Sequence, residues 1–214
     1  MKQPNIKVIS RKSNLAVIQA KEALQEFSHK ISYELISIDS YGDKHKEISL
    51  MSEINNNFFT KELDQAILEN KADIAIHSAK DIPFPLPQNL EVLALLKAED
   101  KTDSLVSTHN LKLSDLPKNA KIGTSSKNRK EQVLKLRPDL KIVSIRGTIE
   151  ERLNLLNTGN IDALIVATCA LKRLSLTNLI TEILPFNTHP LQGNLAIVSK
   201  SNRPDLKTLF SKKD

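Results

Sequence analysis

The stretch Asp73-Ile74-Ala75-Ile76-His77-Ser78-Ala79-Lys80-Asp81-Ile82-Pro83 leaves this chain few folds to choose from. Its unbroken apolar run at Ile74, Ala75 and Ile76 suits a strand covered on both faces, as in an α/β protein, and Pro83 stops the run from continuing as a central strand. Lys80 and Asp81 then fall just past the strand's C-terminal end, where the ligand crevices of open α/β sheets lie. An acid and a base placed there are candidates for chemistry; the alternative is a solvated surface pair.

The remaining chain repeats the strand-helix alternation. Ile6 to Ser10 reads as a strand, and Arg11-Lys12-Ser13-Asn14 leads into a helical pattern with Leu15, Ile18, Leu24 and Phe27, capped by Ser13 or Asn14. Arg11 is thereby held at a strand-to-helix turn, beside backbone N–H groups that favour an anion. Tyr33 to Ile38 is the next strand. Residues 44–57 show no period, contain Asn55-Asn56-Asn57 and read as a mobile loop, after which Thr60 caps a helix carrying Leu63, Ile67 and Leu68. The strand Leu90 to Leu96 runs into the charged connector Lys97-Ala98-Glu99-Asp100-Lys101, which reads as a hinge.

Beyond it lies a second α/β unit. Gly123-Thr124-Ser125-Ser126 links a strand to a helix over 127–136, an anion-receiving arrangement with Arg129 in the first turn. Lys141 to Ile145 delivers Arg146-Gly147 to a helix whose start carries a Thr148–Glu151 capping box, with Arg152 one turn inside. Asp162 to Ala167 is a buried strand that leads to Thr168-Cys169-Ala170-Leu171-Lys172-Arg173, and Pro185 to Pro190 reads as a connector. The last strand, Leu195 to Ser199, rejoins the first lobe, and Asp205 to Phe210 is at most a short helix. The expected division is residues 1–97 plus 190–214 in one lobe and 101–186 in the other.

Charge separates these lobes. Residues 101–186 carry 14 Lys and Arg against 8 Asp and Glu, whereas the rest of the chain balances at 17 against 17, so the whole excess of +6 lies in the second lobe. Such a lobe attracts anions. Three of the seven arginines, Arg146, Arg152 and Arg173, fall near strand ends within it, where a planar guanidinium fork suits carboxylate or phosphate. Aromatic residues make up only 4% of the chain, which argues against a stacking surface for single-stranded nucleic acid. The single cysteine, Cys169, excludes an intrachain disulfide and fits a cytoplasmic protein; neither a secretory signal nor a membrane-spanning run is visible.

Taken together, several motifs resemble the porphobilinogen deaminase (hydroxymethylbilane synthase) family from Ile6 to about Lys200. They are Ser10-Arg11-Lys12-Ser13 with Leu15-Ala16 and Gln19, Gly42-Asp43, Phe59-Thr60-Lys61-Glu62-Leu63, and His77-Ser78-Ala79-Lys80-Asp81-Ile82-Pro83. Gly123-Thr124-Ser125-Ser126, Arg146-Gly147 with Arg152, and Leu171-Lys172-Arg173-Leu174 follow in family order. The resemblance implies two α/β lobes of the type II periplasmic-binding-protein-like fold with an interlobe cleft. It also implies a transferase that condenses four porphobilinogen molecules head to tail with loss of ammonia, in tetrapyrrole (heme) biosynthesis. It assigns catalysis to Asp81, cofactor binding to Lys80, Ser126, Arg129, Arg146 and Arg173, and substrate binding to Arg11, Gln19 and Arg152, with no metal. Members carry a third domain whose cysteine bears a dipyrromethane primer. The chain ends before such a domain, so the expectation is a short form, with Cys169 elsewhere and dipyrromethane held non-covalently if at all. Asn128-Arg129 stands where the family has an arginine pair, and Asn55-Asn56-Asn57 where it has a glycine-rich, lysine-bearing loop. The expected partner is porphobilinogen, met by a monomer without nucleic acid or membrane. The alternative is a catalytically impaired relative that binds a pyrrole or another small polycarboxylate.

Overall fold

A computed structural model describes residues 3–51 and 57–211 of the chain, so Asn55 and Asn56 of the expected loop lie outside the described residues. In chain order the elements are β1 (Asn5–Arg11), α1 (Asn14–Gln25), β2 (Ser32–Ile38), α2 (Tyr41–Lys44), α3 (Lys61–Leu68), β3 (Ile74–Ser78) and β4 (Leu90–Leu96). They continue with β5 (Asp103–Ser107), β6 (Lys121–Thr124), α4 (Lys127–Leu136), β7 (Lys141–Ser144), α5 (Ile149–Asn157), β8 (Ala163–Ala167), α6 (Thr168–Arg173), β9 (Glu182–Leu184), β10 (Leu195–Lys200) and α7 (Pro204–Phe210). The chain divides into two compact units: residues 1–44, 55–98 and 193–214 in the first, and residues 45–54 and 99–192 in the second. Residues 45–51, which the expected division places in the first lobe, belong to the second unit.

In the first unit the sheet runs β2-β1-β3-β10-β4. Parallel pairing joins β1 to β2 and β3, and β10 lies antiparallel between β3 and β4. The apolar run on β3 is buried on both faces. Ile74 and Ile76 pack with Ala20, Leu24 and Phe27 of and beyond α1, whereas Ala75 packs with Leu63, Ala66 and Ile67 of α3. That double burial is why this strand has no polar alternation. Ser13 caps α1, its Oγ accepting the Ala16 N–H at 3.3 Å.

The second unit repeats the layout as β7-β6-β8-β5-β9. β6 is parallel to β7 and β8, and β5 is antiparallel to β8 and β9. β8 is buried throughout, Ile165 facing one apolar cluster and Leu164 and Val166 the other. The chain passes between units at 98/99 and again at 192/193. On either side of the second crossing an amide side chain anchors it to its own unit. Gln192 Nε2 donates to the Lys101 carbonyl and to Asp103, and Asn194 Oδ1 accepts the Ala98 N–H. No helix among the described residues is long and apolar enough to cross a membrane.

Candidate active site

β3 ends at Ser78, and a single 3-10 turn over Ala79–Asp81 follows directly, so Lys80 and Asp81 sit at the strand's C-terminal end. The turn is fixed from behind, where the Ala79 N–H donates to the Asn194 carbonyl at 2.9 Å. Asp81 lines a pocket within the first unit together with Arg11, Gln19, Phe59, His77 and Ser78. Three of the expected residues, Arg11, Gln19 and Asp81, are thus brought together. Lys80 is exposed beside them, in the same turn.

The pocket is pre-set by its neighbours. Gln19 Nε2 donates to Ser78 Oγ at 3.2 Å, tying α1 to the end of β3. Arg11, the last residue of β1, donates from Nε to Asp43 Oδ2 at 2.9 Å and from a second nitrogen to Asp43 Oδ1, a two-pronged ion pair. Its guanidinium lies 4.5 Å from the centroid of the Phe59 ring. Asp43 in turn accepts the Ser40 N–H at 3.0 Å and the Ser40 hydroxyl at 2.7 Å. Burial disfavours the charged forms of both partners, yet their mutual hydrogen bonds and attraction prevail. The Arg11 pKa rises, with a further contribution from the Asp81 charge, and the Asp43 carboxyl falls below the usual aspartate range. Gly42 makes this packing possible, since a Cβ there would meet the rings of Phe58 and Phe59, with the Phe58 edge at 2.7 Å.

The second unit places its expected residues differently. Ser126 caps α4, its Oγ accepting the Arg129 N–H at 3.3 Å. The Arg129 side chain is buried and turned inward: Nε and Nη2 donate to Asp103 at 3.0 and 2.7 Å, and Nη1 donates to the Ile165 carbonyl at 3.2 Å. Gln192 donates to the same Asp103 at 2.9 Å. This arginine therefore ties α4 to β5 and β8. Arg146 follows β7 and donates to the Ile48 carbonyl at 2.8 Å. Arg152 donates from Nε to the Gly147 carbonyl at 2.9 Å, inside the first turn and a half of α5. The capping box is present, and Lys46 reaches the Glu151 carboxylate at 2.6 Å. Both Lys46 and the Thr148 N–H lower the Glu151 pKa. Arg173 closes α6, half-buried, and Cys169 is buried at the start of that helix.

Sequence reasoning about chemistry missed Asp43, Phe59 and the buried pair Asp64–His77. Asp43 lies 32 residues from Arg11 with no periodicity linking the two, and only the Gly42-Asp43 pairing marked the position. Among the described residues no group of three or more His, Cys, Asp or Glu side chains could hold a metal ion.

Residues 6–208 match the family model for porphobilinogen deaminase, dipyromethane cofactor binding domain. The chain is 39% identical to a porphobilinogen deaminase of Clostridium botulinum strain Langeland, over 98% of this chain and 74% of that protein. It is 37% identical to a porphobilinogen deaminase of Geotalea uraniireducens, over 95% of this chain and 65% of that protein. Among solved structures, an arginine transport-system periplasmic binding protein of Legionella pneumophila is similar at TM-score 0.54 and 14% identity, covering 97% of this chain and 91% of that one. The VFT2 domain of Bordetella pertussis BvgS is similar at TM-score 0.54 and 13% identity, covering 97% and 84%. At such identities these likenesses speak to fold alone: the two-lobe α/β fold of type II periplasmic binding proteins.

Proposed function

Because this chain belongs to the porphobilinogen deaminase family, we propose that it is a hydroxymethylbilane synthase-type transferase, joining four porphobilinogen molecules head to tail with release of ammonia. The observation that carries this reading is the first-unit pocket, in which the Asp81 carboxylate and the Arg11 guanidinium share one wall-to-wall space with Gln19. A carboxylate there accepts a pyrrole N–H and stabilises the positive charge that grows as the bond to the departing ammonia breaks. Arg11 and Gln19 in this pocket, and Arg152 in the second unit, are assigned to substrate carboxylates, for which guanidinium and amide donors are suited.

A dipyrromethane group bears carboxylates and pyrrole N–H groups, and the residues present offer donors for the first and the Asp81 acceptor for the second. Lys80 in the first unit and Ser126, Arg146 and Arg173 in the second would hold the carboxylates, and Asp81 the N–H groups. When bound, it supplies the pyrrole end to which new units are joined. Arg129, expected among these residues, is assigned instead to holding α4, and through it Ser126, in place. The same reading has the protein act as a cytoplasmic monomer on a small molecule and not on nucleic acid.

The test is incubation of the purified chain with porphobilinogen, with and without preformed dipyrromethane, while following ammonia and hydroxymethylbilane. Both products are expected when the primer is supplied. Release of neither, under either condition, overturns the assignment.

A further inference from the structure

His77, which lines the pocket, belongs to a buried polar cluster that the mechanism above does not use. His77 on β3 and Asp64 on α3 are each 5% exposed, with His77 Nε2 3.4 Å from Asp64 Oδ1. Thr60, the residue that starts α3, is 1% exposed. Three atoms here, Thr60 Oγ1, Asp64 Oδ2 and His77 Nε2, are buried with no hydrogen-bond partner in the protein. Thr60 does not spend its hydroxyl on capping the helix, although its position invites it. Residues 60 and 64 are one helical turn apart, so their side chains lie on one face, and β3 alternates so that Ala75 and His77 share the face covered by α3.

Buried polar groups left without partners are costly, and proteins meet that cost with internal water, which typically makes about three hydrogen bonds to such groups. We propose that Thr60 Oγ1, Asp64 Oδ2 and His77 Nε2 hold one buried water molecule, and that this joint makes His77 a positioning residue for the reaction. The claim about the reaction rests on the function proposed above; the claim about the water does not.

The reason lies in what each side of the joint carries. The chain entering α3 carries Phe59, on which the Arg11 guanidinium rests, immediately before Thr60. The end of β3 carries His77 and, four residues on, Asp81. Thr60 and Asp64 on one element and His77 on the other therefore fix the Arg11 platform relative to Asp81, two groups close enough for the Asp81 charge to raise the Arg11 pKa. Hydrogen bonds to a shared water add direction to this joint, fixing donor and acceptor positions that non-directional apolar contacts leave to shape alone.

Two measurements test this. The first is a crystal structure at a resolution that shows ordered water, for the parent chain and for His77→Phe. A water within hydrogen-bond distance of all three atoms in the parent is expected, together with displacement of the Asp81 carboxylate relative to Arg11 in His77→Phe. A parent joint without water, or an Asp81 unmoved in the variant, overturns the proposal whether or not the chain turns over porphobilinogen. The second is kinetics on Thr60→Val, Asp64→Asn and Asp64→Glu, with thermal unfolding measured alongside. Misplacement of reacting groups by about 1 Å costs on the order of 100-fold in rate, so a loss of that order in kcat, with little change in KM, is expected for Asp64→Asn. Asp64→Glu restores most of it, and Thr60→Val lies between. Lowered melting temperatures with kcat unchanged in all three would make the cluster purely structural. An inactive parent whose joint holds water and whose His77→Phe variant shifts Asp81 would overturn the assigned function and with it the claim about the reaction, and leave the claim about the water standing.

Discussion

Arg11 and Asp81 line the same pocket but stand in different electrostatic company, and their expected responses to mutation differ accordingly. Asp81→Asn keeps the shape of the carboxylate while removing its charge and its capacity to take a proton. The expected outcome is a fall in turnover of roughly 100- to 10,000-fold, with a melting temperature close to the parent's; turnover within a few-fold of the parent would remove Asp81 from the mechanism. Arg11 is held by Asp43, whose carboxyl is pulled down by the Arg11 and Ser40 bonds despite the opposing effect of burial. A carboxyl depressed in the folded state stabilises the fold fully above its unfolded pKa, about 4, and loses that contribution as pH falls through the folded value. Acid titration of unfolding should therefore show a stability loss below about pH 4 that is smaller in Asp43→Asn, which has no such proton to gain. Identical acid limbs for parent and variant would show that the pair contributes nothing.

At the level of elements, Arg129 and Asp103 bind α4 to the second sheet. Truncating either leaves a buried charge without its partner, a change that typically costs about 3–5 kcal/mol. Arg129→Met should show this as a lowered denaturant midpoint, and an unchanged midpoint would mean that Asp103 is sufficiently compensated without Arg129, for instance by Gln192. Much of this architecture was legible in the sequence. The limits of β4 and α4 coincide with those expected from the sequence, and the Thr148–Glu151 capping box forms as its spacing implies. Local signals sufficed there because the cap and the periodic face lie within one or two turns. β9 went unread, since three residues with Ile183 half-exposed give no period to detect and owe their strand geometry to pairing with β5. The inward turn of Arg129 was equally invisible: an arginine in a helix's first turn looks like an anion ligand until Asp103, 26 residues earlier, is brought beneath it. Asp43 and the Asp64–His77 pair escaped for the same reason, being defined by tertiary contacts between distant segments.

Both sheets of the molecule share one layout, a single antiparallel strand (β10 or β5) inserted beside the edge strand, although the chain enters the strands in a different order and the sequence carries no visible repeat. What differs is continuity. The second sheet is built from residues 103–184 alone, whereas the first needs β10, which lies between β3 and β4 and supplies hydrogen bonds to both. A chain cut after Gln192 should keep slow amide exchange in β5 to β9 and lose it in β3 and β4; equal protection in both units would show that the first sheet closes without its inserted strand. The insertion also sets an order of events during synthesis on the ribosome. About 100 residues separate β4 from β10, which at typical elongation rates is roughly 5–20 s of translation. For that interval the nascent first unit exposes two open strand edges beside its most apolar segment, the kind of edge that pairs with foreign strands. The unit that begins the chain is thus the last to finish folding, and the seconds before β10 emerges are when this protein most needs a chaperone.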